Sequence, residues 1–387
     1  MTANDRACQA GIPKPAYLTN PAQLVQLSPL EREQAATVSS RYAFRSNNYY
    51  QSLIDWEDPN DPIRRIVMPS TDELEDWGPL DASDELRYTE VPGLEHKYRD
   101  TALLLMNDVC AGFCRFCFRK RLFMDGNDEV VRDVSGGVAY IRAHPEITNI
   151  LLTGGDPLLV STPRLVAILR SISDLKHVRI IRIGTKMLAF NPARVINDPS
   201  LPRAIEESIS RSQAIFIMAH YNHIAELTPE STAALRILAR AGATIVNQTP
   251  LIRGVNDSTE ALSQLFNELS YRGVLPYYVF QCRPTAGNMP YSVPLEEGFD
   301  IFCSAREKCS GLARTARYVM SHATGKIEVL AKSGDYIYMR YHRAAAKENV
   351  NRFLILECNR GAHWLDDYRE ACLGNLLGVT SEGNHDN

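Results

Sequence analysis

Three cysteines carry the first chemistry legible in this chain. Cys110, Cys114 and Cys117 are spaced C-x3-C-x2-C and follow directly on an apolar run at 102–106, which reads as a buried strand. Three thiolates this close, just past a strand end, suit three irons of a [4Fe–4S] cube and leave its fourth iron open. A tetrahedral structural zinc site wants a fourth ligand, normally from a second Cys or His pair. No such pair stands nearby. A non-catalytic iron–sulfur or zinc-binding module is the contrasting class of function.

Elements must hold these thiols in place. Short apolar runs at 102–107, 148–153, 178–184, 214–219, 243–248 and 276–281 alternate with helical patterns near 133–144, 163–173, 201–211, 229–241, 258–271 and 295–309. Strands alternating with helices in this way imply a parallel sheet. Polar residues and glycines gather just past the strand ends: Cys110, Gly154, Gly155 and Asp156, then Lys186, His220, Asn222, Gln248 and Arg283. A β/α barrel places its chemistry there, whereas an open doubly wound sheet makes a single crevice. The expected class is therefore α/β, a partial (β/α)6 TIM-like barrel over 91–312. A helical extension over 1–90 precedes it, with helical periodicity at 21–39 and 42–54. A C-terminal segment over 313–387, a small β-containing appendage and then a helical tail, follows it.

At 387 residues and 45% apolar content the chain can bury a sizeable core. Its net charge of −4 and lack of a basic block disfavour nucleic acid as a partner. The amino terminus lacks the basic-then-apolar pattern of a signal peptide. No window approaches the ~18–20 apolar residues that span a bilayer. Nine cysteines is an odd count, poorly suited to a secreted disulfide framework. The expectation is a soluble, cytoplasmic protein.

The cysteine motif stands among other distinctive stretches: YYQSLIDWEDPNDPIRR (49–65), VPGLEHKYRD (91–100), ILLTGGDPLLVS (150–161), RIGT (182–185), NQTPLIRGVND (247–257), YYVFQC (277–282) and GK (325–326). Together they resemble the radical S-adenosylmethionine (SAM) superfamily and, within it, the lysine 2,3-aminomutase family, over about residues 42–345. The resemblance implies that Cys110, Cys114 and Cys117 hold the [4Fe–4S] cluster, whose open iron chelates SAM. An electron then releases a 5′-deoxyadenosyl radical. Gly154, Gly155 and Asp156 would meet the SAM amino group, and Gln248, His220 and Asn222 would line the same cavity. Lys326 would hold pyridoxal 5′-phosphate (PLP) as a Schiff base, with Gly325 giving it room. Lys97, Tyr98 and Arg99 would take the phosphate, Arg99 compensating for Thr101, which stands where the family usually has arginine. Arg119 would grip the substrate α-carboxylate in a bidentate fork.

The implied activity moves the α-amino group of a small-molecule amino acid substrate to Cβ. A flavodoxin or ferredoxin would supply the electron, and a homo-oligomer is expected. Two aspartates that hold the distant ammonium in lysine-specific members are replaced, one by Arg283 and the other within 319–322, where His322 joins Arg283 as a substrate-side residue. A lysine ammonium beside Arg283 meets like-charge repulsion, so a glutamate- or aspartate-like acid is the expected substrate. Phe116 and Phe280 replace a histidine and a tyrosine common in the family, and a lyase outcome with both cofactors is the alternative. Modification of a lysyl residue on a translation factor also occurs in the family, and Arg283 argues against it.

Overall fold

The computed structural model describes residues 11–211 and 213–371. Cys8, Cys372 and the end of the expected helical tail lie outside the described residues. One sheet dominates, with strands β1 (Thr89–Val91), β2 (Leu94–Tyr98), β3 (Thr101–Asn107), β4 (Asn149–Gly154), β5 (Ile180–Thr185), β6 (Ala214–Ala219), β7 (Thr244–Pro250), β8 (Leu275–Phe280), β9 (Arg317–His322), β10 (Gly325–Ser333), β11 (Tyr336–Ala344) and β12 (Phe353–Glu357). Their order in space is their order in sequence. Strands β3 to β9 run parallel, and the two flanks, β1–β2 and β10–β12, are antiparallel.

Each parallel crossover carries a helix: α1 (Ser135–Ala143), α2 (Thr162–Ser173), α3 (Ser200–Ser210), α4 (Pro229–Arg240), α5 (Thr259–Tyr271) and α6 (Leu295–Glu307). Helix α5 shows why. Ser258 caps it by accepting from the Ala261 N–H, and Leu262, Leu265, Phe266 and Leu269 form one buried stripe at helical spacing. Each such side chain contributes about 2 kcal/mol on burial. No helix among the described residues is long and apolar enough to cross a membrane.

Three expectations are corrected. The parallel set has a seventh member, because Arg317–His322 pairs in parallel with β8 through Tyr278↔Arg317 and Phe280↔Val319. Its RYVMSH pattern reads like the first strand of the antiparallel block that follows it, which hides its pairing. The 42–54 stretch is not one helix: Ser46–Asn47 ladders with Tyr17–Leu18 before a single turn at Asn48–Gln51. Within the expected helical tail, Phe353–Glu357 is a strand whose Leu354 and Leu356 are buried against β11.

The sheet curls until its flanks touch. The Lys97 ammonium on β2 donates to the His322 carbonyl at 2.6 Å, Tyr88 donates to the Ala323 carbonyl, and Arg343 on β11 reaches Asp100 and Thr101 beside β3. Strands that are distant in sequence thus share one mouth.

Candidate active site

A cavity of about 390 Å³ lies at that mouth, and the three cysteines and Lys326 line it together. The cysteine loop follows β3 and is pinned to the N-terminal extension, where the Phe113 and Arg115 N–H groups donate to the carbonyls of Arg45 and Ile66, each at 2.9 Å. The Arg115 guanidinium is buried in a bidentate pair with Glu73. All three thiols are free and partly covered. Burial pushes each thiol up, Cys114 to about 12, so thiolates here need a bound cation to hold them. Among the described residues no three carboxylate, imidazole or thiol groups close round a single ion, whereas a cube spaces its three ligands more widely.

The turn after β4 packs against this loop. Gly154 has φ +115°, and a Cβ on it would strike the Asn107 carbonyl. A Cβ on Gly155 would lie 2.5 Å from the Val109 carbonyl oxygen. Both glycines therefore serve the protein's own close approach of two backbones. Asp156 lines the cavity, but its oxygens already accept from the Thr185 hydroxyl and the Leu158 and Lys186 N–H groups. It ties β4 to β5, and its carboxylate is not free to take an ammonium without giving up one of these bonds.

Across the mouth His220 and Gln248 pair at 2.7 Å. Burial and then the charges of Lys186 and Arg119 pull His220 down to about 3, leaving the ring neutral. Asn222 does not line the cavity. It accepts from Lys186 at 2.7 Å behind the wall, where Lys186 also pairs with Glu226, and Tyr50 donates to that glutamate at 2.5 Å.

Lys326 lies 4.5 Å above both the Tyr278 and Phe280 rings and 3.4 Å from the Ser321 hydroxyl. Burial pulls the amine well down, and Arg283, Arg182, Arg343 and Lys97 press the same way. The β10–β11 register places Arg343 directly opposite Lys326. Arg343 lies 4.3 Å over the Tyr98 ring, while Arg182 donates to Asn149 and is itself lowered by burial and by Arg343. Partly buried cations crowded this closely favour an anionic ligand. Arg99, expected in this cradle, is instead exposed, and its carbonyl faces His96. Strand β2 ends at Tyr98, so Arg99 sits in the turn to β3 and no longer shares a strand face with Lys97.

Arg119 and Arg283 both line the cavity. Arg119 is forked onto Glu85 through bonds of 2.8 and 3.0 Å and donates to Thr153. Arg283 donates to Ser83 at 2.5 Å and stacks 3.5 Å over the Phe118 ring. His322 turns away: its ring pairs with Asp366 and Thr324, and only its carbonyl faces the mouth. The sequence reading missed Glu85, Glu95, Arg182 and Arg343. Alternation within LEHKY would have found Glu95, which shares a strand face with Lys97; the others come from loops or from strands far along the chain.

No family model matches the chain. It is 56% identical over 341 residues to a chain of Aquifex aeolicus (strain VF5) to which L-lysine 2,3-aminomutase is provisionally assigned, covering 88% of this chain and 91% of that one. It is 34% identical to the L-lysine 2,3-aminomutase of Clostridium subterminale, over 74% of this chain and 68% of the relative. Against the glutamate 2,3-aminomutase of Clostridioides difficile (strain 630) the identity is 30%, over 82% and 76%. A solved radical SAM methyltransferase from Sphaerobacter thermophilus is similar with a TM-score of 0.40 and 21% identity, covering 58% of this chain and 68% of that one.

Proposed function

We propose, for a chain that belongs to the lysine 2,3-aminomutase family, that it is a radical SAM, PLP-dependent amino acid 2,3-aminomutase acting on a glutamate- or aspartate-like acid. The enzyme is an isomerase, and membership implies a [4Fe–4S] cluster, SAM and PLP as its cofactors. When bound, these groups supply the radical that removes a β-hydrogen and the conjugated ring that carries the migrating nitrogen. An incomplete barrel, here with seven parallel strands, is the architecture this reading takes.

The observation that carries it is Lys326, a partly covered amine held well below the usual lysine range by burial and by four neighbouring cations, at the same mouth as three free thiols. An uncharged amine is ready to attack an aldehyde. Lys97, Arg182 and Arg343 would hold a phosphate dianion beside it. Tyr278 and Phe280 hold the amine over apolar faces and keep water away. Gly154, Gly155 and the His220–Gln248 pair would form the wall against SAM, and Cys110, Cys114 and Cys117 would hold the cluster.

Substrate preference rests on charge. Once a phosphate has taken Lys97, Arg182 and Arg343, two guanidinium groups, Arg119 and Arg283, face one charged carboxylate, Glu85. The cavity therefore favours anionic ligands, and an ε-ammonium beside Arg283 is opposed. A cytoplasmic location fits the seven free cysteines among the described residues; reduction by a flavodoxin or ferredoxin and a homo-oligomeric state belong to the same reading. The test is incubation of the reduced, PLP-loaded protein with SAM and the twenty amino acids. The β-isomer of an acidic amino acid supports the reading, and β-lysine, or ammonia with an olefin, contradicts it.

A further inference from the structure

Arg119 has no open edge. Its Nε–Nη2 edge, the one that forks onto a carboxylate, is filled by Glu85. On the other edge Nη1 donates to Thr153 at 3.2 Å, and Nη2 lies 3.8 Å from Glu95. The same Glu85 carboxylate accepts from Arg121 at 2.8 Å and stands 3.9 Å from Arg283. One internal carboxylate thus sits among three guanidinium groups at the place where a substrate carboxylate would be held.

We infer that Glu85 is a resident stand-in for that carboxylate, and that an amino acid enters by exchanging with it, lifting residues 81–88 off Arg119. This rests on the reading of Arg119 as the carboxylate grip given above.

The segment is built for exchange. Its inward anchors are polar: Glu85 itself, Ser83 against Arg283, Asp81 at 3.6 Å from Arg121, and the Tyr88 hydroxyl on the Ala323 carbonyl. On its outward side Leu86 is 57% exposed and the Arg87–Asp84 pair lies on the surface. Asp84 takes a left-handed φ of +52°, a local strain that release would relieve. When the segment leaves, Arg121 keeps Glu129, while Arg119 and Arg283 are freed for an incoming ligand with a carboxylate at each end. A segment tied down by ion pairs and few apolar contacts opens at low free energy.

The test uses the full chain loaded with iron, sulfide and PLP, without reductant, as wild type and as Glu85→Gln. L-Glutamate and L-lysine are titrated by calorimetry, and amide hydrogen exchange is followed over 81–88. L-Glutamate should bind the Gln variant about 10-fold more tightly, because no charged competitor remains on Arg119, and should speed exchange of 81–88 in the wild type. If the variant does not fold, the wild-type exchange decides alone. Saturating L-glutamate with 81–88 still protected overturns the inference and leaves the acidic-substrate reading standing. Exchange that opens with L-lysine but not L-glutamate keeps the displacement and removes the acidic substrate.

Discussion

At the scale of single residues, the chemistry depends on which groups are denied their usual charge. Burial first, and then four other cations, pull the Lys326 amine well below the usual lysine range. Lys326→Ala should therefore abolish the near-ultraviolet band of lysine-bound PLP, and Lys326→Arg should not restore it; a retained band contradicts the assignment. Glu95 is the converse case. Burial, and then the charge of Glu85, raise its carboxyl from 4.5 to about 8, and one of its oxygens makes no hydrogen bond. A raised acid contributes stability that is full below pH 4.5 and is lost as pH rises through 8. Glu95→Gln should accordingly raise Tm more at pH 9 than at pH 6, by at least about 2 °C. Equal shifts at the two pH values would show that Glu95 is ionised in the fold. Most of the named residues that line the cavity were legible because motif spacing carries them. Arg99, Asn222 and His322 were misplaced because a motif names positions along the chain, while the facing of a side chain depends on turns and neighbours.

At the scale of elements, the joint between the turn after β4 and the cysteine loop decides whether the thiols converge. Both sides of that joint are backbone, so neither can yield by rotating a side chain. Gly155→Ala should push the loop outward, cost about 1–3 kcal/mol and reduce iron bound after reconstitution to less than about half of wild type. Unchanged iron content would show that the loop tolerates the displacement. Glu73→Gln acts from the other side. It leaves Arg115 buried beside a neutral amide, and loss of one partner of a buried pair typically costs about 3–5 kcal/mol, which a melting experiment will show. The six strands and six helices of the repeating part were legible because apolar period and length distinguish them. The seventh parallel strand was not, since parallel pairing is a relation between distant strands and leaves no local mark on RYVMSH.

At the scale of the whole molecule, the sheet brings β2, β10 and β11 to the same mouth as the cysteine loop. The cradle around Lys326 draws Lys97, Arg182 and Arg343 from three strands that lie far apart in sequence. Arg343→Gln removes a cation from that cradle and the link to Asp100 and Thr101. Affinity for PLP should fall about tenfold or more, with little loss of iron; equal loss of iron and PLP would mean that Arg343 holds the fold and not the phosphate. Pairing of the consecutive strands β10 and β11 sets Arg343 opposite Lys326, whereas curling of the sheet brings Lys97, from β2, to the same place.

A cluster and an amine-bound cofactor that share one cavity would let hydrogen pass between the amino acid and the 5′ carbon of SAM. The direct test gives the reduced protein, with full iron and one PLP per chain, SAM and a mixture of fully deuterated amino acids. Mass spectrometry should find deuterium on the 5′ carbon of recovered SAM or 5′-deoxyadenosine, together with a deuterated β-amino acid. Unlabelled 5′ carbon and no β-isomer, from protein that carries both cofactors, would contradict it.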